Sequence, residues 1–420
     1  MYCLLPALFA SYLGDAPAPH PFAWAPPPQV DARRHRGPKV VCGTSFPYHI
    51  ETEHFTVQWT NAAIPQERAQ DIADALELGW EELVEQEGWP APVSSDSCFL
   101  WVILDDEMSG SGLTTLYTNE DYPEGYPVSY LNPAFELETP EFALSVAVHE
   151  FGHMIQYGLD GWDGTGTRAW FWEATAEWMA EKGLPEADTY AESSYWYARS
   201  PEFDYHSMKN FHQYGMLLLD AWIDENYGME PILSAWMDAR EHADEDWDAR
   251  LARSVGMDFP EIVRQFTAAY AAKTLRESSL YYEPTLANSH RELPDEETLE
   301  IEGLYGSFYV SFGEGGADLG VEGDVVVAYV QANRWTDEPP ASGPFTAIFT
   351  SLTDRGTIRY GAQVGGQDSE GGESGEPDSP GQDSADSTGK EEPRSCGCEG
   401  GAGVAALGLV APLLLRRRRR

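Results

Sequence analysis

The 420-residue chain is short of basic residues: 26 Lys and Arg stand against 70 Asp and Glu, a formal net charge of −44. Five of those 26 form one terminal run, Arg416 to Arg420. With so few cations to neutralise phosphates, the composition argues against nucleic acid as a partner. The acid excess favours solubility and self-repulsion, and it fits an extracellular or salty setting. Cysteine is scarce too, with five residues in all. Cys3 lies in a leader, and Cys396 and Cys398 lie in a tail. Cys42 and Cys98 remain in the folded part, as a candidate disulfide if the chain is exported. Long apolar runs are also missing. Leu4 to Leu13 is too short to span a bilayer, and the run from Gly401 to Leu415 is marginal against the roughly 20 residues required. Residues 365–395 hold no large apolar side chain. They cannot form a core and read as a flexible, extended linker. No internal repeat is visible.

The remainder divides by composition. Residues 1–18 have a short apolar core and end in Ala16-Pro17-Ala18, the pattern of a secretory signal peptide, though without a basic start. Residues 19–39 are Pro-rich and read as a linker or propeptide. From 40 to 284 strand and helix signals mix. Residues 54–59, 98–104 and 126–131 read as strands, the last as an edge strand because of Pro127. A further strand follows Gly112. Helices are expected at 65–86, 168–182, 208–227, 230–255 (broken) and 260–276. Residues 285–364 are rich in Val, Tyr, Phe and Gly, with runs such as Ser307 to Phe312 and Val325 to Ala332. They read as a small β-domain, most simply a sandwich. The fold class expected is α+β.

One stretch carries chemistry. His149-Glu150-Phe151-Gly152-His153 sits in an amphipathic segment from Thr139 to Gly158. Thr139 suits an N-cap, Pro140 the first helical position and Gly158 a terminator. Leu144, Val148, Phe151 and Ile155 recur at helical spacing and bury one side. Residues four apart share a helix face, so His149 and His153 can present two imidazoles to one tetrahedral metal ion. Glu150 points along a different vector and can reach water at that metal. In a chain of this composition the pattern arises by chance on the order of once in fifty such chains. A catalytic zinc site takes three protein ligands and leaves one position open. The helix at 168–182 offers Glu173 and Glu177, four apart, and both can face the metal. Asp160-Gly161-Trp162-Asp163-Gly164 and Asp105-Asp106-Glu107 hold oxygen ligands suited to calcium, although such sequences are more often plain turns.

The motif and Trp172-Glu173-Ala174-Thr175-Ala176-Glu177 together resemble the gluzincin, or thermolysin-like, zinc metallopeptidases. There the third ligand is a Glu on the following helix in a Glu-x-x-Ala context. The resemblance, over about 45–275, implies a zincin-like domain: a small mixed sheet with active-site helices, then a helical lobe. It implies Zn2+ on His149, His153 and Glu173, with Glu150 as general base and Glu177 as a supporting or surface acid. It also implies a Tyr or His beyond Glu173 as oxyanion donor. The candidates lie in Phe203-Asp204-Tyr205-His206 and Phe211-His212-Gln213-Tyr214-Gly215, with Tyr214 favoured, although Phe211, Tyr214, Leu218 and Trp222 also read as an ordinary apolar stripe. The substrate implied is protein or peptide, and 126–131 is the strand offered for pairing with it. The tail at 396–420 has a cysteine pair, a short apolar segment and an Arg cluster. It resembles the myxobacterial MYXO-CTERM sorting signals, which implies export, processing and cell-surface display through the membrane and its sorting machinery. The competing reading is a non-catalytic surface binding or adhesion module with a structural zinc, in which Glu150 would have no task.

Overall fold

In a computed structural model of the protein, the residues described run from 39 to 364, save 40, 44, 119, 121–124, 134–139, 161–167, 188–189 and 240. The signal-peptide, propeptide, linker and sorting-tail expectations lie outside them, as do Thr139 and the turn 161–164. The chain divides into one unit up to Asp368 and a second from Ser369, and every described residue falls in the first.

The first sheet is built from β1 (Tyr48–Glu51), β2 (Phe55–Trp59), β3 (Leu100–Leu104), β4 (Gly112–Tyr117) and β5 (Tyr126–Leu131), in the order β1-β2-β3-β5-β4. The β2–β3 and β3–β5 pairs are parallel and the outer pairs antiparallel. A parallel pair needs a long crossover, and α1 (Gln66–Trp80), continued by a π-helical turn at Glu81–Gln86, supplies it between β2 and β3. All five residues of β2 and of β3 are buried because both faces are covered. Phe55, Val57, Leu100, Val102 and Leu104 face the main core with the helices. Trp101 and Ile103 face a smaller cluster shared with Tyr126 and Val128, against which Cys42 and Phe46 pack. Cys42 and Cys98 are disulfide-bonded, Cα to Cα 5.6 Å, so the N-terminal segment is tied to the start of β3.

The edge strands are β1 and β4, not 126–131. β5 lies between β3 and β4, with register Trp101↔Val128 on one side and Thr114↔Ser129 on the other. Pro127 precedes the first residue paired with β3, so its missing N–H interrupts no bond of that ladder.

Next come α2 (Pro140–Asp160), α3 (Ala169–Gly183), α4 (Tyr190–Arg199), α5 (His212–Gly215), α6 (Leu217–Tyr227), α7 (Glu230–Asp238), α8 (Trp247–Val255) and α9 (Phe259–Ala272). α2 runs past Gly158, so that glycine does not end it. Val148, Phe151 and Ile155 are fully buried, with Phe151 edge-on to Phe55 of β2 at 5.2 Å. Truncating such a ring to Ala costs about 3–5 kcal/mol. The expected helix at 208–227 is broken: Asn210 and Phe211 take left-handed backbone (φ 54° and 61°), and α5 and α6 meet at Met216.

The β-rich part holds β6 (Leu286–His290), β7 (Glu297–Ile301), β8 (Ser307–Phe312), β9 (Gly320–Glu322), β10 (Val325–Gln331), β11 (Arg334–Thr336), β12 (Phe345–Ser351) and β13 (Gly356–Gly361). A five-stranded sheet, β11-β10-β12-β8-β6, and a three-stranded sheet, β7-β13-β9, share one apolar cluster that includes Phe308, Val310, Phe349, Leu299, Ile301 and Ile358. The compositional change near 285 coincides with the start of β6. Even so, Tyr309, Ala328, Val330 and Ile348 belong to the same core as the helices. The molecule is thus an α+β protein with several sheets.

Candidate metal centre

α2 and α3 pack along their lengths, and the small residue inside the motif allows it. A Cβ at Gly152 would sit 3.0 Å from Met179 Sδ and 3.4 Å from Ala176 Cα. The close approach places Glu173 opposite the two histidines. His149 Nε2 is 3.3 Å, and His153 Nε2 3.5 Å, from Glu173 Oε2. Atoms held about 2.0–2.1 Å from a tetrahedral ion lie roughly 3.3–3.4 Å apart, so the spacing fits three ligands of one metal. Among the described residues His149, His153 and Glu173 form a group that could hold a metal ion.

The polar groups behind the rings fix which nitrogen faces inward. Glu177 Oε2 lies 3.0 Å from His149 Nδ1, and Ser193 on α4 donates to Glu177 Oε1 at 2.5 Å. Gln156 Nε2 donates to the Trp172 carbonyl at 3.0 Å, which turns its Oε1 toward His153 Nδ1 at 2.7 Å. Both acceptors require a proton on Nδ1, leaving each Nε2 lone pair free for a metal. Both histidines are 7% exposed, and Gln156 is fully buried.

His149 and His153 both pair with the Glu173 carboxylate. Burial alone would depress His149, but hydrogen bonds and charges from Glu173 and Glu177 outweigh it and raise its pKa to about 10. Burial would raise Glu173; His153 and His149 hold it well below the usual carboxylate range. Such a carboxylate, partly buried and facing two imidazoles, is a group that a divalent cation satisfies.

Glu150 is 5% exposed. Burial raises its pKa, against the opposing charges of His153 and His149 and a hydrogen bond from Thr114. Thr114 Oγ1 reaches Glu150 Oε2 at 2.6 Å. Tyr214 stands at the other side, its ring 5.9 Å from that of His149. Burial, then the charges of Glu173, Glu177 and Glu150, push its hydroxyl far up. It is only partly buried, and Phe211, expected in the same apolar stripe, is 55% exposed, while Leu218 and Trp222 are core.

The structure therefore brings together His149, Glu150, His153, Glu173 and Tyr214. It puts Glu177 behind His149 rather than among the ligands. Asp105 accepts a bond from Glu107 N, as in an ordinary turn, and Asp106 accepts one from the distant Asn61. A second group, Asp238, Glu241 and His242, also meets the distance requirement for a metal, but Asp238 is engaged by Arg253 and His242. Gln156, Ser193, Thr114 and Ser129 were not singled out in the sequence. Only Gln156, three residues after His153 on one helix, left a local signal.

Residues 102–274 match a family of unknown function (DUF6055), a segment spanning β3 to just past α9 and holding all of these site residues. No curated protein matches the chain. No helix among the described residues is long and apolar enough to cross a membrane.

Proposed function

We propose that the protein is a zinc metalloendopeptidase of gluzincin type, exported and displayed at the cell surface. The observation that carries this reading is the convergence of His149 Nε2, His153 Nε2 and Glu173 Oε2 with the carboxylate of Glu150 beside them. On this reading the β1–β5 sheet with α2 and α3 is a zincin-like domain, and the two sheets after Leu286 are a β-sandwich-like one. His149, His153 and Glu173 would hold the zinc, which when bound would supply a Lewis acid for the scissile carbonyl and the attacking water.

Glu150 accepts the proton of the attacking water and passes it to the leaving amine. Tyr214, its ring beside that of His149, donates its hydroxyl proton to the oxygen where negative charge develops. The open edge of β4, with Leu113 and Leu116 exposed, offers backbone groups to an extended peptide. Gln156 and Glu177 hold the two imidazoles in register. A site that served only structure would close with a fourth Cys or His and would not need Glu150. Export is supported by the Cys42–Cys98 bond, which persists in oxidising compartments, and by the resemblance of the tail to sorting signals.

The test is cleavage of casein and a peptide library by the zinc-loaded protein and by Glu150→Gln. Activity should vanish in the variant while its zinc remains. Cleavage undiminished by Glu150→Gln would sink the mechanism.

A further inference from the structure

We propose that Thr114 and Ser129 are positioning residues that divide the labour of the two Glu150 oxygens, tethering Oε2 and leaving Oε1, in the space kept clear by Gly112, as the oxygen that takes the proton. This rests on the reading of Glu150 as general base and goes beyond it in naming what aims that base.

Thr114 on β4 and Ser129 on β5 are direct cross-strand partners, and both are buried. Thr114 Oγ1 lies 2.6 Å from Glu150 Oε2, 3.1 Å from the Glu150 carbonyl and 2.6 Å from Ser129 Oγ. A hydroxyl has one proton to give, and a carboxylate can only accept. Thr114 must then donate to Oε2, and Ser129 must donate to Thr114. The resulting chain, Ser129 to Thr114 to Glu150, has a single direction, and its last bond is charge-assisted. It acts on Oε2 alone: among the described residues no donor reaches Oε1.

Gly112 completes the device. A Cβ there would overlap Glu150 Oε1 and lie 2.8 Å from Cγ and 2.9 Å from Cδ. Its backbone is not in the left-handed region, so conformation does not demand a glycine; the space is what the carboxylate uses. The strand that would pair with substrate thus also aims the base, through residues two apart on one face.

The experiment compares Thr114→Val, which keeps shape and removes the donor, with Thr114→Ser, which restores it, and with Gly112→Ala. Each is zinc-loaded and assayed on one fluorogenic peptide. Thr114→Val should lower kcat about 10- to 100-fold with KM within twofold and zinc retained, Thr114→Ser should recover to within about threefold, and Gly112→Ala should lose at least as much kcat as Thr114→Val. A second readout needs no activity. Thr114→Val should lower Tm by several degrees in the otherwise native protein, and by less than half as much in Glu150→Ala. Equal Tm shifts in both backgrounds, or no recovery with Thr114→Ser, would overturn the proposal. If the native protein cleaves no peptide yet the Tm coupling is present, the peptidase reading fails while the tether stands.

Discussion

Glu177 accepts a hydrogen bond from His149, its Oε2 3.0 Å from Nδ1, although both acids of α3 could have been metal ligands. Four residues along the helix separate Glu173, in front of the imidazole, from Glu177, behind it. Removing a carboxylate that orients a ligand typically costs 10- to 100-fold in metal affinity. Glu177→Ala should therefore still bind one zinc, about 10- to 100-fold more weakly in competition with a chelator. Affinity equal to that of the native protein would remove Glu177 from the site's support.

His206 is the clearest source of pH dependence away from the metal. Its Nδ1 is 3.0 Å from Asp204 and its Nε2 3.0 Å from Asp248, tying the segment before α5 to α8, while Asp204 Oδ2 also accepts from Leu304 N. Tyr305 and Trp170 flank the ring. Burial would lower its pKa, but the two carboxylates raise it to about 10. A raised histidine contributes stability that is complete below its unfolded value near 6.5 and lost as pH climbs through about 10. Asp204 is held low, so its share is present above its unfolded value and fades in acid. His206→Gln should thus cost about 3 kcal/mol near pH 6 and little above pH 10. A cost independent of pH in urea denaturation would contradict the assignment.

Asp220 works in the opposite sense. It is fully buried on α6 next to Thr175, and burial, followed by the neighbouring charge of Asp224, pushes its carboxyl well above the usual range. An acid raised in the folded state stays protonated there while the unfolded chain ionises, so stability falls as pH rises above about 4. Asp220→Asn should match the native protein near pH 3 and gain on it toward neutrality, by up to about 1.4 kcal/mol per pH unit. A constant difference across that range would show that the carboxyl ionises in place.

Phe211 holds a left-handed backbone with its ring half in solvent, against Trp196 at 5.0 Å and Tyr214 at 6.1 Å. A non-glycine residue pays about 1–2 kcal/mol in that region. Comparing two truncations removes the ring from both: Phe211→Gly should be more stable than Phe211→Ala by about 1 kcal/mol, the reverse of the usual order. Equal melting points would mean that the φ of 61° is not kept.

Local periodicity made part of this legible. His149, Glu150 and His153 lie on one helix, and their spacing states the geometry directly. Glu173 needed a resemblance, because nothing local says that α3 folds back on α2 at Gly152. Thr114 and Ser129 are invisible in sequence: their meeting with Glu150 depends on the register of β4 with β5, and 36 residues separate Thr114 from the base. Pro127 suggests an edge strand in sequence, but it sits beyond the end of β3's pairing, so β5 is an inner strand. The stripe from Phe211 to Trp222 failed because two left-handed residues and the junction at Met216 break its helix. α4, which brings Ser193 to Glu177, gave no helical signal strong enough to notice.

The central claim is one zinc ion on three named ligands, and equilibrium dialysis with metal analysis tests it most directly. The native protein should bind one zinc per chain, His149→Ala, His153→Ala and Glu173→Ala should each lose it, and Glu177→Ala should keep it. Zinc retained in Glu173→Ala but lost in Glu177→Ala would reverse the choice of third ligand, and zinc retained in all four variants would place the metal elsewhere and end the account.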